Sequence, residues 1–279
     1  MAKLIGYVGS KEKLLSVIED YIPVNTSIIY ECFCGSAAVS LSQDVSKYYL
    51  ADSQPELINF LGCVRDNPDA VISRVQELLD QGVSEELYMA LRVQDRKEGF
   101  LRTDLYSRAA RYFFIVNNGY NNLYRVNGKG QCNTPYAKGK KKIPNDWKER
   151  ITETSEKLAR NCNGIFEQQF DNKEVLQAVI DSQPEGQTAF VFIDPPYYGT
   201  YDQYTKERTS EEFWERLYQY LEDLDEAGIP FLMTNSYHEF ILEKFGKWNI
   251  TEVPVKYTVA ADGSKRVKTS EAFITNLSK

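Results

Sequence analysis

A strand, a turn of small residues, a helix start and a second strand ending on an acid follow one another between Ser27 and Asp52. Ser27-Ile28-Ile29-Tyr30-Glu31-Cys32-Phe33 reads as the first strand and Cys34-Gly35-Ser36-Ala37-Ala38 as the turn. Lys47-Tyr48-Tyr49-Leu50-Ala51-Asp52 reads as the second strand, and Pro55 opens a helix from the first turn, where its missing N–H costs nothing. That order begins a doubly wound α/β domain. From about Glu56 to Asn161 the pattern turns helical, with Ala70 to Leu79, Glu85 to Val93 and Leu105 to Val116 around a polar segment, Asn117 to Lys142. Strands resume at Gly164 to Glu167, Ala189 to Ile193 and Ile229 to Met233, with a final pair near Glu252 to Val259 and Glu271 to Asn276. The expectation is an α/β domain made of residues 1–55 and 162–279, interrupted by a mostly helical insertion over 56–161.

The apolar run Ala189-Phe190-Val191-Phe192-Ile193 ends in Asp194-Pro195-Pro196-Tyr197. A buried strand thus brings a carboxylate, a stiff turn and an aromatic ring to one point at a sheet edge. Pro195 and Pro196 fix φ near −65° and remove two donors, so the turn is rigid and its carbonyls stay available as acceptors. Acceptors and an aromatic face, with no cation and no thiol, suit a flat substrate bearing an NH₂ group, such as a nucleobase. The alternative for Tyr197, a core aromatic beside a turn, is the weaker reading next to that carboxylate.

The net charge of −7 argues against a protein that coats nucleic acid, because indiscriminate phosphate binding favours a basic total. Five cysteines without a regular framework suit reduced thiols and a cytoplasmic setting. The N-terminus lacks the apolar stretch of a signal peptide, and no run approaches the ~20 apolar residues that span a bilayer, so no membrane partner is expected. His238 is the single histidine, which rules out multi-histidine metal sites, and Cys32-x-Cys34 alone is weak metal evidence.

Other positions gain weight only in company. Gly35 sits in the turn after a strand, and Asp52 ends the next strand, where an acid accepts hydrogen bonds from ribose hydroxyls. The turn lacks the full G-x-G-x-x-G, so a pyrophosphate is not the obvious ligand; an adenosine bearing an amino acid needs less backbone approach. Lys11, after Tyr7-Val8-Gly9-Ser10, is placed beside a ligand carboxylate and Tyr7 on a flat ring or sulfonium, although a polar entry to a helix over Lys11 to Tyr21 explains the stretch equally well. Phe170-Asp171 follows a strand and suits an adenine.

Taken in order, Tyr7 to Lys11, Glu31 to Val39, Tyr49 to Asn59 and Asp194 to Tyr197 resemble the successive motifs of the Dam-type DNA adenine methyltransferases, which use S-adenosylmethionine. The segment from Asn117 to Asn127, followed by Gln131 to Tyr136, is similar to that family's DNA-recognition loop, and Arg266 to Glu271 to its C-terminal motif. The resemblance implies a Rossmann-like S-adenosylmethionine methyltransferase sheet with an inserted, mostly helical DNA-recognition domain. It further implies that Tyr7, Lys11, Glu31, Phe33, Gly35, Asp52, Phe170 and Asp171 line the S-adenosyl-L-methionine pocket, with Asp194 at its junction with the target base. Two positions depart from the family: the FxGxG turn is here Phe33-Cys34-Gly35-Ser36-Ala37, and Tyr7 stands where Trp is usual.

The implied reaction is methyl transfer to the exocyclic amino group of adenine in double-stranded DNA, with the base flipped out of the stack. Asp194 and the Pro195 carbonyl would accept the two amine hydrogens, and Tyr197 would stack on the base. Between Arg125 and Arg150 eight basic residues stand against Asp146 and Glu149, about +6 in an acidic chain. The family positions matching Tyr120, Asn121, Leu123, Arg125 and Pro135 contact the recognition sequence, which implies GATC or a longer site containing GAT. Asn127, Lys140 and Lys141 join them as DNA-binding candidates, and Lys265, Arg266 and Lys268 add phosphate contacts. A monomer is expected, and a cognate restriction enzyme is left open as a partner. The rivals are a methyltransferase for RNA or a glutamine side chain, families that more often carry Asn-Pro-Pro-Tyr, and a non-catalytic DNA-binding protein on the same scaffold.

Overall fold

The computed structural model describes residues 4–7, 9–138, 143–199, 210–255 and 269–278. Seven strands form one sheet: β1 (Thr26–Glu31), β2 (Lys47–Asp52), β3 (Cys162–Glu167), β4 (Thr188–Ile193), β5 (Phe231–Ser236), β6 (Asn249–Val255) and β7 (Thr269–Thr275). Their spatial order is β3-β2-β1-β4-β5-β7-β6. All neighbours pair in parallel except β7, which runs antiparallel to both β5 and β6. This is the Rossmann-like methyltransferase sheet expected from the sequence.

Helices cover both faces because the central strands are apolar on both sides. Along β4, Phe190 and Phe192 enter one buried cluster, while Ala189, Val191 and Ile193 enter the other. β2 divides in the same way, Tyr48 and Leu50 against Tyr49 and Ala51, as a period of two requires.

The first face carries α1 (Leu15–Glu19), α2 (Ala38–Ser42), α3 (Pro55–Asp66), α4 (Pro68–Asp80), α6 (Leu105–Asn118) and α7 (Trp147–Asn161), through residues such as Ile18, Leu41, Leu57, Val71, Phe113 and Leu158. The second is covered by α8 (Lys173–Asp181), α9 (Glu211–Glu226) and α10 (Glu239–Lys244), through Val175, Leu217 and Ile241. Helix α5 (Glu85–Arg92) joins a small third cluster of Tyr88, Leu91, Phe114, Ile115 and Cys132.

Several boundaries differ from expectation: β1 stops at Glu31 rather than Phe33, β3 starts at Cys162 rather than Gly164, and the expected strand end at Val259 lies outside the described residues. The helix expected over Lys11 to Tyr21 is a 3₁₀ turn, Lys11–Leu14, followed by the short α1. β5 begins at Phe231 rather than Ile229, since Pro230 has no N–H to give; its carbonyl instead accepts from Val191 N at 3.0 Å. β6 starts earlier, at Asn249. Among the described residues no helix is long and apolar enough to cross a membrane.

Candidate active site

In a parallel sheet whose strands wind outward from the middle, ligands enter the crevice beyond the carboxyl ends at the point where strand order reverses. Here that point lies between β1 and β4. β1 ends at Glu31, and Asp194 follows the last residue of β4, so the switch point is flanked by two acids.

Asp194 is gripped from two sides. Lys11 donates to its Oδ2 at 2.6 Å, and Thr234 Oγ1 donates to its Oδ1 at 2.7 Å. The ammonium is buried, also donates to the Gly9 carbonyl at 3.0 Å, and lies 4.9 Å from the centre of the Tyr197 ring. Lys11 therefore contacts a carboxylate of the protein itself, where the sequence placed a ligand carboxylate. Pro195 is buried, and Tyr198 beyond Tyr197 stacks on Phe240 with centroids 4.2 Å apart.

Glu31 is buried and accepts from Ser40 N at 3.0 Å and Ser40 Oγ at 2.7 Å. Burial pushes its carboxyl up to about 7, the nearby charge of Asp194 adds to the rise, and the Ser40 bonds oppose it. Asp52, at the end of β2, accepts from Gly35 N at 3.1 Å and Gln54 N at 2.9 Å. Gly35 has φ +48°, and a Cβ on it would stand 2.7 Å from the Tyr7 ring. The turn is thus held between Asp52 and Tyr7, and only glycine fits there. Phe33 stacks on the buried Phe170 with centroids 5.1 Å apart, and Asp171 is held by Arg216. Cys32 and Cys34 are buried thiols whose burial drives them upward.

The polar segment folds back on itself after α6. Gly119 bridges to Tyr136 and Val126 to Cys132, with the tip closed by Asn127 Oδ1 accepting from Lys129 N and Gln131 N. Tyr120, Asn121 and Pro135 are exposed on this hairpin, Leu123 half-buried. Arg125 is steadied by Nε donating to Asn133 Oδ1 at 2.8 Å, and Asn127 donates to Gln131 Oε1 at 3.2 Å. Asn121 and Asn122 both have positive φ, 54° and 56°, a region asparagine tolerates better than most residues. Lys140, Lys141, Lys265, Arg266 and Lys268 lie outside the described residues.

The family model described as D12 class N6 adenine-specific DNA methyltransferase matches residues 7–259. The chain belongs to that class. It therefore methylates the N6 amino group of adenine in DNA, as the sequence implied. A type II methyltransferase, M1.LlaDCHI of Lactococcus lactis subsp. cremoris, is 31% identical over 97% of this chain and 93% of the relative. The type II methyltransferase M.MjaIII of Methanocaldococcus jannaschii is 28% identical over 94% of each chain. The DNA adenine methylase of Escherichia coli K12 is 27% identical over 96% of this chain and 92% of its own length.

Sequence reasoning missed two parts of this D12 methyltransferase. Thr234, the second partner of Asp194, lies one residue past the predicted strand. A buried ionic network also escaped it: Glu56 at the start of α3 pairs with Arg108 and lies 3.8 Å from Arg111, which in turn reaches Asp95 at 3.0 Å and the Tyr124 hydroxyl at 2.8 Å. Asp95 also accepts from Cys132 N at 2.6 Å, tying the hairpin to the helices.

Proposed function

We propose that this D12 methyltransferase takes its methyl group from S-adenosyl-L-methionine, bound in the crevice between β1 and β4, and acts on an adenine flipped from duplex DNA at GATC or a site containing GAT. The single observation that carries this reading is Asp194 at the switch point, with both oxygens engaged and the Tyr197 ring beside it.

The residues fit that donor. It offers two hydroxyls, an ammonium and a flat ring, and the crevice offers the carboxylates of Glu31 and Asp52, the ring of Tyr7 and the stacked Phe33 and Phe170. Gly35, lacking a Cβ, lets the Tyr7 ring close against the turn at the edge of the crevice. When bound, S-adenosylmethionine supplies an activated methyl group.

The protein's own task is placement. The amino nitrogen of adenine is a poor nucleophile because its lone pair is delocalised into the ring. Asp194 and the Pro195 carbonyl accept its hydrogens and so turn the lone pair toward the methyl. Lys11 has to release Asp194 Oδ2 before the amine takes its place. Tyr197 stacks on the flipped base, worth roughly 1–3 kcal/mol and enough to offset much of the unstacking. The hairpin carrying Tyr120, Asn121, Leu123, Arg125, Asn127 and Pro135 reads the neighbouring bases, Arg125 by its fork of donors. The similarity to two type II methyltransferases favours action beside a restriction enzyme, with the protein working as a monomer.

The test combines labelled S-adenosylmethionine with plasmid DNA and maps modified adenines by sequencing. Wild-type protein gives N6-methyladenine at a GAT-containing site, and Asp194→Ala gives none while staying folded. Label absent from adenine, or activity retained by the variant, would overturn the assignment.

A further inference from the structure

We infer that Thr234 is the positioning residue of the acceptor carboxylate: its hydroxyl fixes Asp194 so that Oδ2 is the oxygen presented to the target amine. This rests on the proposal that Asp194 receives that amine, and adds which oxygen does so and what holds it there.

The sheet register makes the pairing. β4 and β5 run in parallel with Ile193 opposite Met233, so the next residues out, Asp194 just past the end of β4 and Thr234 still within β5, stand side by side. Thr234 is fully buried, and its hydroxyl proton goes to Asp194 Oδ1 at 2.7 Å. A carboxyl group turns about a broad, two-fold torsion, so a single partner on one oxygen settles which way the other faces. Oδ2 then points to the Lys11 ammonium, 2.6 Å away and over the Tyr197 ring. A donor nitrogen bonded to Oδ2 and facing an aromatic ring is the arrangement a flipped adenine has to reproduce. Lys11 holds the place of the amine, and Thr234 keeps the oxygen in line when Lys11 leaves.

The two residues after Thr234 extend the grip. Asn235 Oδ1 accepts from Tyr198 N at 3.0 Å, and Ser236 Oγ donates to the Tyr198 carbonyl at 2.9 Å. Three successive residues of β5 thereby hold both ends of the turn from Asp194 to Tyr198. Of the three, only Thr234 touches the carboxylate, so its loss has a signature distinct from loosening the turn.

The experiment compares Thr234→Val, which keeps the shape and removes the hydroxyl, with Thr234→Ser, which keeps the hydroxyl, in steady-state methylation of plasmid DNA. Thr234→Val lowers kcat ten- to a hundredfold, on the order of one hydrogen bond to a charged group, with KM for DNA within about twofold. Thr234→Ser restores kcat to within about threefold of wild type. Thr234→Ala, a second hydroxyl-free variant of smaller volume, shows the same kcat loss. Thr234→Val with wild-type kcat, a loss that serine fails to restore, or an effect carried by KM alone would overturn the inference. Asp194→Ala is measured alongside. Activity retained there refutes the underlying assignment, whereas an inactive Asp194→Ala with a fully active Thr234→Val refutes the role of Thr234 alone.

Discussion

The buried Glu31 makes the stability of the ligand-free protein depend on pH in a direction opposite to that of most carboxylates. Its ordinary value of 4.5 is raised to about 7, chiefly by burial. Between those two pH values the folded protein holds a proton that the unfolded chain has released, so the stability contribution is full below 4.5 and is lost as pH rises through about 7. At 1.36 kcal/mol for each tenfold change in proton affinity, the loss amounts to about 3 kcal/mol. Glu31→Gln preserves the side-chain volume and an oxygen for Ser40 but carries no charge at any pH. Urea unfolding followed by circular dichroism from pH 4.5 to pH 8, on both proteins without ligand, isolates this one group. The variant gains on the wild type by about 3 kcal/mol across the range. A difference that stays constant within about 0.5 kcal/mol would refute the reasoning, since every other titrating group is shared by the two proteins.

Two other substitutions probe the links between the crevice and the hairpin. Glu56→Ala leaves Arg108 and Arg111 buried without their shared carboxylate and is expected to cost about 3–5 kcal/mol in urea unfolding; a loss under about 1 kcal/mol would mean that the pair is not coupled to stability. Gly6→Ala sets a Cβ 2.7 Å from Asn122 Cγ and displaces the start of the hairpin, so DNA affinity measured by fluorescence anisotropy falls about tenfold while S-adenosylmethionine binding holds. Unchanged DNA affinity would show that this end of the hairpin adapts freely.

The sheet was legible because its strands are short apolar runs with punctuation: Ala189 to Ile193 closes on two prolines, and Lys47 to Asp52 closes on an acid ahead of Pro55. Gly35, Asp52 and Asp194, now seen around the crevice, were legible for the same reason, since each ends a strand or fills the turn after one; Glu31, placed inside a strand expected to run to Phe33, came only from the family resemblance. What could not be read was anything set by pairing register or distant contact. Thr234 became visible only when β5 was laid beside β4. Lys11 meets Asp194 across 183 positions of chain, so nothing local to either residue marks the carboxylate as already holding a cation. The burial of Arg108 and Arg111 left no local mark either, because it depends on Glu56 from another helix. The positive φ of Asn121 and Asn122 left only a faint trace, the choice of asparagine itself.

The division of the apolar clusters has a consequence for how new specificities arise. Helices α3, α4, α6 and α7 share one cluster with the face of the sheet, so excising residues 56–161 would leave that face covered by α1 and α2 alone. The hairpin from Gly119 to Tyr136 hangs instead on the small cluster around Tyr88, Leu91 and Cys132, together with backbone bonds to its own base. Sequence drift at the hairpin's exposed positions, Tyr120, Asn121 and Pro135, therefore leaves the framework intact, while drift at Tyr124, which is bonded to Arg111, or in the surrounding helices does not. On the proposed reading of the hairpin as the DNA contact, grafting of target preference between relatives belongs at that boundary, after Asn118 and before Ala137, where Ala137 N meets the Asn118 carbonyl at 3.0 Å and the two chain ends already stand together.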